Sequence, residues 1–302
     1  TSGRQIMGRH VAGESFLKTS LKYGSAHELW IQVEDKKHIT IFKSLAESCG
    51  RNQEVNSVNR TSLGNLCQPG CLYLPGPGIG EWARHRTRFG YNAWSICGIT
   101  HTTASTKAMD AIADILTAPV HPWDALICTS RAVHNNVSRI LEAKAEYLKQ
   151  RLGASKFLLP KLPIIPLGVN AKDFTRSKSS IMEARQQLNI RPDDVVVLFV
   201  GRLAFHGKAH PLVMYQALER AASSTGRKVV LIECGWHANA YIQQAFKSAA
   251  AAACPSVRCI SLDGRDPNQL ALSWASADLF CSLSDNIQET FGLTPIEAMA
   301  AG

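Results

Sequence analysis

The sequence predicts an α/β protein built from two parallel-sheet units, and three observations predict it. Short β-branched runs alternate with longer runs of helical period, the alternation occurs in two cycles, and a proline-rich stretch separates them. At 302 residues the chain exceeds what one core usually organises, and 45% apolar with 19% charged residues is an ordinary globular composition.

In the first cycle the expected strands are Leu29–Val33, Cys71–Leu74, Trp94–Thr100 and Ala125–Thr129. Between them the spacing predicts a helix over Ile79–Phe89 and a long one over Ala132–Leu152, where Val137, Ile140, Leu141, Ala145 and Leu148 recur on one face. The connector Leu159–Gly168 carries Pro160, Pro163 and Pro166 before its glycine, which sets the expected domains at 1–163 and 164–302. Val195–Val200 opens the second cycle, continuously apolar and β-branched as a strand covered on both faces should be, with Gly201 expected to end it. A helix around Pro211–Ser223, a strand at Lys228–Glu233, a helix at Tyr241–Ala253 and a strand at Val257–Leu262 follow. Asn268–Ala275 then reads as a helix, Asp278–Leu283 as a strand and Thr294–Ala301 as the start of another helix.

Both ends read as cut. The chain opens on Thr1 and enters a stretch with Gly3, Gly8 and Gly13 without an apolar strand before it, and it stops at Gly302 within a helical pattern. The expectation is a fragment whose first domain lacks its first strand and whose second domain is truncated.

The 33 Lys+Arg against 24 Asp+Glu give a net charge of +9, which suits anionic partners such as nucleotides, phosphorylated lipids or nucleic acid. Nucleic acid is set aside, because there is no long basic block, no Cys/His finger spacing and little interleaving of basic and aromatic residues. No apolar run approaches the roughly 18 residues of a membrane helix. The N-terminus lacks a secretory pattern. Nine scattered cysteines, with Cys67 and Cys71 the closest pair, complete no zinc spacing. They read as reduced thiols, and the expected location is the cytoplasm.

Ligands of open parallel sheets bind beyond the carboxyl ends of the strands, so the residues there are the candidates. After Val200 comes Gly201-Arg202-Leu203-Ala204-Phe205-His206-Gly207-Lys208, in which Arg202 and Lys208 suit a diphosphate, while on these residues alone solvated loop cations are the better account. After Leu283 comes a segment with Glu289 in the strand-to-helix loop and Glu297 in the first turn of the helix, whose backbone N–H groups suit an anion. Thr294-Pro295-Ile296-Glu297 also has the spacing of a capping box with proline at the first helical position, and on spacing alone the cap is the better account of Glu297. His101 follows the strand at Trp94–Thr100, and a single histidine there is more often a hydrogen-bonded loop residue than a catalytic one.

The ordered pieces Ile165-Pro166-Leu167-Gly168-Val169-Asn170, Phe199-Val200-Gly201-Arg202-Leu203 with Lys208, Ala277-Asp278, Glu289-Thr290-Phe291-Gly292 and Glu297-Ala298-Met299-Ala300-Ala301-Gly302 resemble glycosyltransferase family four. The resemblance covers the chain from about Ile164 onward and is looser before it; its specific part is the pair of glutamates seven residues apart within that context. It implies the GT-B fold, two Rossmann-like domains facing across a cleft, with residues 1–163 on the acceptor side and 164–302 binding the nucleotide sugar. It implies that Glu289 contacts hydroxyls of the donor sugar, that Glu297 contacts the ribose, and that Arg202 and Lys208 hold the diphosphate beside Gly201. The amides near Phe291, Gly292 and Leu293 assist, His101 resembles the active-site histidine that faces the donor sugar, and Gly8 and Gly13 correspond to a loop that borders the acceptor and diphosphate. The implied reaction is transfer from a nucleoside diphosphate sugar to an acceptor hydroxyl, with retention at the anomeric carbon and without a metal or other cofactor. The chain likewise has no Asp-x-Asp motif.

One departure is that Gly207 precedes Lys208, where many relatives have a lysine one position earlier followed by glycine, so His206 stands beside Lys208 as a candidate for the phosphate contact. The acceptor is left open among glycan, lipid and small molecule, with the basic charge compatible with a lipid-linked acceptor at a membrane face. Two other readings compete: a GT-B phosphorylase or epimerase, and a non-catalytic protein that binds nucleotide or a membrane surface on the same scaffold.

Overall fold

Every strand pairing among the described residues is parallel, as strands connected through helices require. The computed structural model describes residues 8–205, 210–284 and 290–302. The chain divides into two compact units, one ending at Leu167 and the other spanning Gly168–Gly302.

The first unit runs α1 (Gly8–Tyr23), β1 (Leu29–Gln32), α2 (Lys37–Ser48), β2 (Val55–Val58), β3 (Cys71–Tyr73), α3 (Ile79–Arg86), β4 (Ser95–Ile99), α4 (Thr106–Ala113), β5 (Ala125–Ile127) and α5 (Arg131–Leu152). Its strands form a pair, β1-β2, and a sheet ordered β3-β4-β5. The connector continues that sheet past β5 through parallel bridges from Lys161 to Ala125 and from Ile164 to Cys128. Helix α5 shows why the local sequence is obeyed. Its cap Ser130 accepts from the Val133 N–H, Val133, Val137, Leu141 and Leu148 are buried at helical spacing, and Gly153 ends it at φ 68°.

The second unit runs α6 (Lys178–Gln187), β6 (Val195–Leu203), α7 (Leu212–Thr225), β7 (Val229–His237), α8 (Ala240–Ala253), β8 (Arg258–Asp263), α9 (Pro267–Ser276), β9 (Leu279–Phe280) and α10 (Leu293–Ala301). The sheet order is β8-β7-β6-β9. Alternate residues of β6 enter two separate cores: Val197, Phe199 and Leu203 pack with Met214, Tyr215 and Phe246, while Val196 and Leu198 pack with Ile190 and Trp274. A strand buried on both faces has no polar side to declare, which is why it reads as one continuous apolar run.

The structure corrects three expectations. Gly8 and Gly13 lie in a helix, not in a loop. Gly201 does not end its strand, because β6 continues to Leu203 in register with β7 as far as His237. The capping box does not form. Helix α10 starts at Leu293 with Gly292 as its cap and no side-chain cap bond, so Thr294 is already inside the helix, Pro295 is its third residue, and Glu297 is its fifth, in the second turn and not the first. Elements α1, α2, β2, α4 and α6 are additions to the sequence reading.

Candidate functional site

Among the described residues, Gly201 and Arg202 lie toward the carboxyl end of β6 in the second sheet, and Glu297 lies in α10. Strands β6 and β7 pair over nine residues, so Arg202 stands near the end of β6 opposite Trp236. The level just before it is closed by glycine. Gly201, at φ 154°, is the register partner of Gly235, and a Cβ on Gly235 would lie 1.9 Å from the Gly201 carbonyl oxygen. The β6 and β7 backbones therefore approach closely just below Arg202, and no side chain fits between them.

Strand β9 lies on the other side of β6, pairing Leu279 with Val197 and Phe280 with Leu198, and the Cys281 N–H donates to the Leu198 carbonyl at 2.9 Å. Asp278 fixes this register. Its N–H donates to the Val196 carbonyl at 2.9 Å, its carboxylate accepts from the Val196 N–H at 2.8 Å, and Arg185 pairs with it at 2.6 Å. The chain that leaves β9 thus starts beside the stretch of β6 that leads to Arg202. Helix α10 follows, and a helix returning from a parallel strand begins at the strand's carboxyl end. Gly292 takes φ 71° and ψ 82°, a left-handed conformation that favours glycine, and Leu293 is the first helical residue. With no side chain capping that end, the first-turn N–H groups of α10 suit an anion.

Glu297 is half-buried in α10, and burial raises its carboxyl above the usual glutamate value. Ala298 and Ala301 of the same helix pack on the core that holds Val200, Ile232 and Phe280. Phe291, Gly292 and Leu293 are all partly buried at the helix start. Lys208 and Glu289, with His206 and Gly207, lie outside the described residues. His101 belongs to the first unit, two residues beyond β4 at the carboxyl edge of the β3-β4-β5 sheet, where the neighbouring Thr100 hydroxyl donates to the Ile127 carbonyl at 3.0 Å.

The sequence reading missed a polar cavity of about 490 Å³ at the carboxyl ends of β7 and β8, lined among others by Trp236, His237, Asn239, Gln243, Asp263 and Arg265. Asp263 and Arg265 form an ion pair at 2.7 Å, which holds the aspartate below the usual carboxylate range. Burial, then Lys247, lowers the His237 pKa, and its Nε2 is buried without a hydrogen-bond partner. The rule that directed attention to strand ends would have found this cavity had β7 been extended past Glu233.

Comparison with known proteins agrees with this architecture. The family described as glycosyl transferases group 1 matches residues 180–302. No curated protein matches the chain. Among solved structures, Anabaena HepE in complex with UDP and glucose superposes at a TM-score of 0.60 and 17% identity, covering 100% of this chain and 77% of that one. The N-terminal domain of Candida albicans trehalose-6-phosphate phosphatase superposes at 0.57 and 10% identity, covering 95% and 76%. The E. coli trehalose-6-phosphate protein bound with UDP-2-fluoro glucose superposes at 0.52 and 12% identity, covering 94% and 68%. The fold is the α/β GT-B architecture of Rossmann-like parallel-sheet units.

Proposed function

We propose that this protein is a nucleotide-sugar-dependent glycosyltransferase whose sugar donor binds at the carboxyl edge of the second sheet. The reading is supported by the group 1 match over residues 180–302 and by UDP or a UDP sugar in the HepE and E. coli structures. The observation that carries it is Glu297, half-buried in the second turn of α10, a helix whose start has no side-chain cap. A carboxylate there accepts hydrogen bonds from the two ribose hydroxyls of a nucleotide whose diphosphate meets the α10 N–H groups.

In this reading Arg202 and Lys208 neutralise the diphosphate as the bond between the anomeric carbon and the phosphate oxygen breaks. The acceptor hydroxyl forms the new bond to that carbon and loses its proton, the configuration is retained, and the nucleoside diphosphate leaves. Glu289 binds donor-sugar hydroxyls, His101 in the first unit is the candidate active-site histidine, and Gly201 and the backbone at Phe291, Gly292 and Leu293 complete the donor site. Charge neutralisation falls to these basic groups, so the reaction requires no metal. No helix among the described residues is long and apolar enough to cross a membrane. A cytoplasmic enzyme with a glycan, small-molecule or lipid-linked acceptor fits the basic charge.

The test is release of free nucleoside diphosphate from UDP, GDP and ADP sugars in the presence of candidate acceptors. One donor class is expected to turn over, and Glu297→Gln is expected to raise its KM by roughly tenfold or more, the worth of a hydrogen bond to a charged group. Nucleotide binding by a folded protein that releases no diphosphate from any donor would replace this reading with the binding-only one.

A further inference from the structure

The N-terminal edge of the first unit's sheet, opposite the edge that holds His101, combines exposed apolar side chains with a run of basic ones. The Lys161 N–H donates to the Asp124 carbonyl at 2.8 Å and the Leu126 N–H donates to the Lys161 carbonyl at 2.8 Å. Leu158 and Leu159, just before Lys161, are therefore brought beside Trp123, just before Asp124. Helix α5 leaves the carboxyl end of β5 and runs back, so its last turn, with Leu152, returns to this same edge. Tyr91 joins through a ring contact with His121 at 5.4 Å, and His121 stacks on Trp123 at 4.3 Å. Tyr91, Trp123, Leu152, Leu158 and Leu159 are between 43% and 71% exposed.

Charge selects the partner. Residues 143–161 hold five basic side chains against one acidic, Glu146. Lys149, Arg151, Lys156 and Lys161 are all exposed, and they flank the leucines. The carboxylate of Asp124 adds nothing negative at the surface, because it is fully buried against Arg86. Leucine side chains that insert, Trp and Tyr at the depth of the headgroups, and lysines that reach phosphates are the components of an interfacial membrane contact.

We propose that this edge docks the protein peripherally on an anionic lipid bilayer. The surface lies within the first unit and does not depend on the donor site in the second.

The test is co-sedimentation of the full chain with vesicles of phosphatidylcholine alone and of phosphatidylcholine mixed with phosphatidylglycerol. Binding is expected only to the mixed vesicles, and it weakens as salt is added. Lys149→Glu/Arg151→Glu/Lys156→Glu lowers that affinity by about a hundredfold or more, given the typical contribution of each basic residue near such a surface. Leu158→Asn/Leu159→Asn lowers it too, with the protein folded by circular dichroism. Arg220→Glu/Arg227→Glu/Lys247→Glu makes the same change of net charge in the second unit and leaves binding within severalfold. Absence of binding by the folded wild type overturns the proposal. So does equal loss in the two charge-reversal triples, which assigns the binding to the overall field of the protein.

Discussion

Glu233 is buried in β7, and the Tyr215 hydroxyl donates to its Oε1 at 2.6 Å. Burial raises the Glu233 carboxyl above its usual range, the Tyr215 hydrogen bond opposing that shift. A glutamate whose folded pKa is raised holds its proton longer in the native state than in the unfolded chain. Stability therefore falls as pH climbs from the ordinary glutamate value through the raised one. Glu233→Gln keeps an acceptor for the tyrosine and has no charge to bury. Denaturant unfolding across pH is expected to give a flatter profile for the variant, which is more stable than wild type at neutral pH; parallel profiles would show that Glu233 titrates normally. At this scale the sequence was partly legible. The order of neighbouring motifs made Arg202 and Glu297 candidates for the site, while spacing alone made Glu297 a cap. That account failed because Gly292, free to take a positive φ, starts the helix before Thr294. Trp236 and His237 were missed because β7 extends to His237, and the strand pattern was read as stopping at Glu233.

Element placement in the first unit rests on a buried ion pair. Arg86, at the end of α3, donates to the Trp94 carbonyl and to both oxygens of Asp124, at 2.7, 2.7 and 2.8 Å, and to the Pro119 carbonyl at 3.1 Å. Asp124 also accepts from the N–H groups of Ile96 and His121, at 2.9 Å each. One carboxylate thus sets α3 against the starts of β4 and β5. Asp124→Ala strands the guanidinium in the core and is expected to cost about 3–5 kcal/mol in denaturant unfolding. Arg86→Met/Asp124→Leu removes both charges and is expected to cost less than either single change; a double variant as unstable as the sum would mean that the hydrogen bonds, and not the stranded charge, set the cost. Nothing in the local pattern announces a partnership between residues so far apart in sequence. The elements legible from sequence were those with long apolar faces, such as α5 and β6. Strand β2 was missed because Val55-Asn56-Ser57-Val58 is half polar, and α1 because its glycines suggested a loop and, among its described side chains, Leu21 is the one that is buried.

On the scale of the molecule, two parallel-sheet units follow from two cycles of strand and helix, and the division at Leu167 falls within the proline-bearing connector. The net charge of +9 takes on two separate uses in this account: a nucleotide diphosphate at Arg202 in the second unit, and a bilayer at the N-terminal edge of the first. Composition alone could not separate these uses, because a count of charges carries no address. The central claim is that the carboxyl edge of the second sheet binds a nucleotide. Its most direct test is the thermal midpoint of the protein with UDP, GDP and ADP in turn, beside Arg202→Ala and Glu297→Ala. A ligand bound only by the native state stabilises by about 2.7 kcal/mol at a hundred times its dissociation constant. One nucleotide is expected to raise the wild-type midpoint by several degrees, and both variants are expected to lose that rise. A folded wild type that responds to none of the three, or variants that respond as fully as wild type, would contradict the assignment.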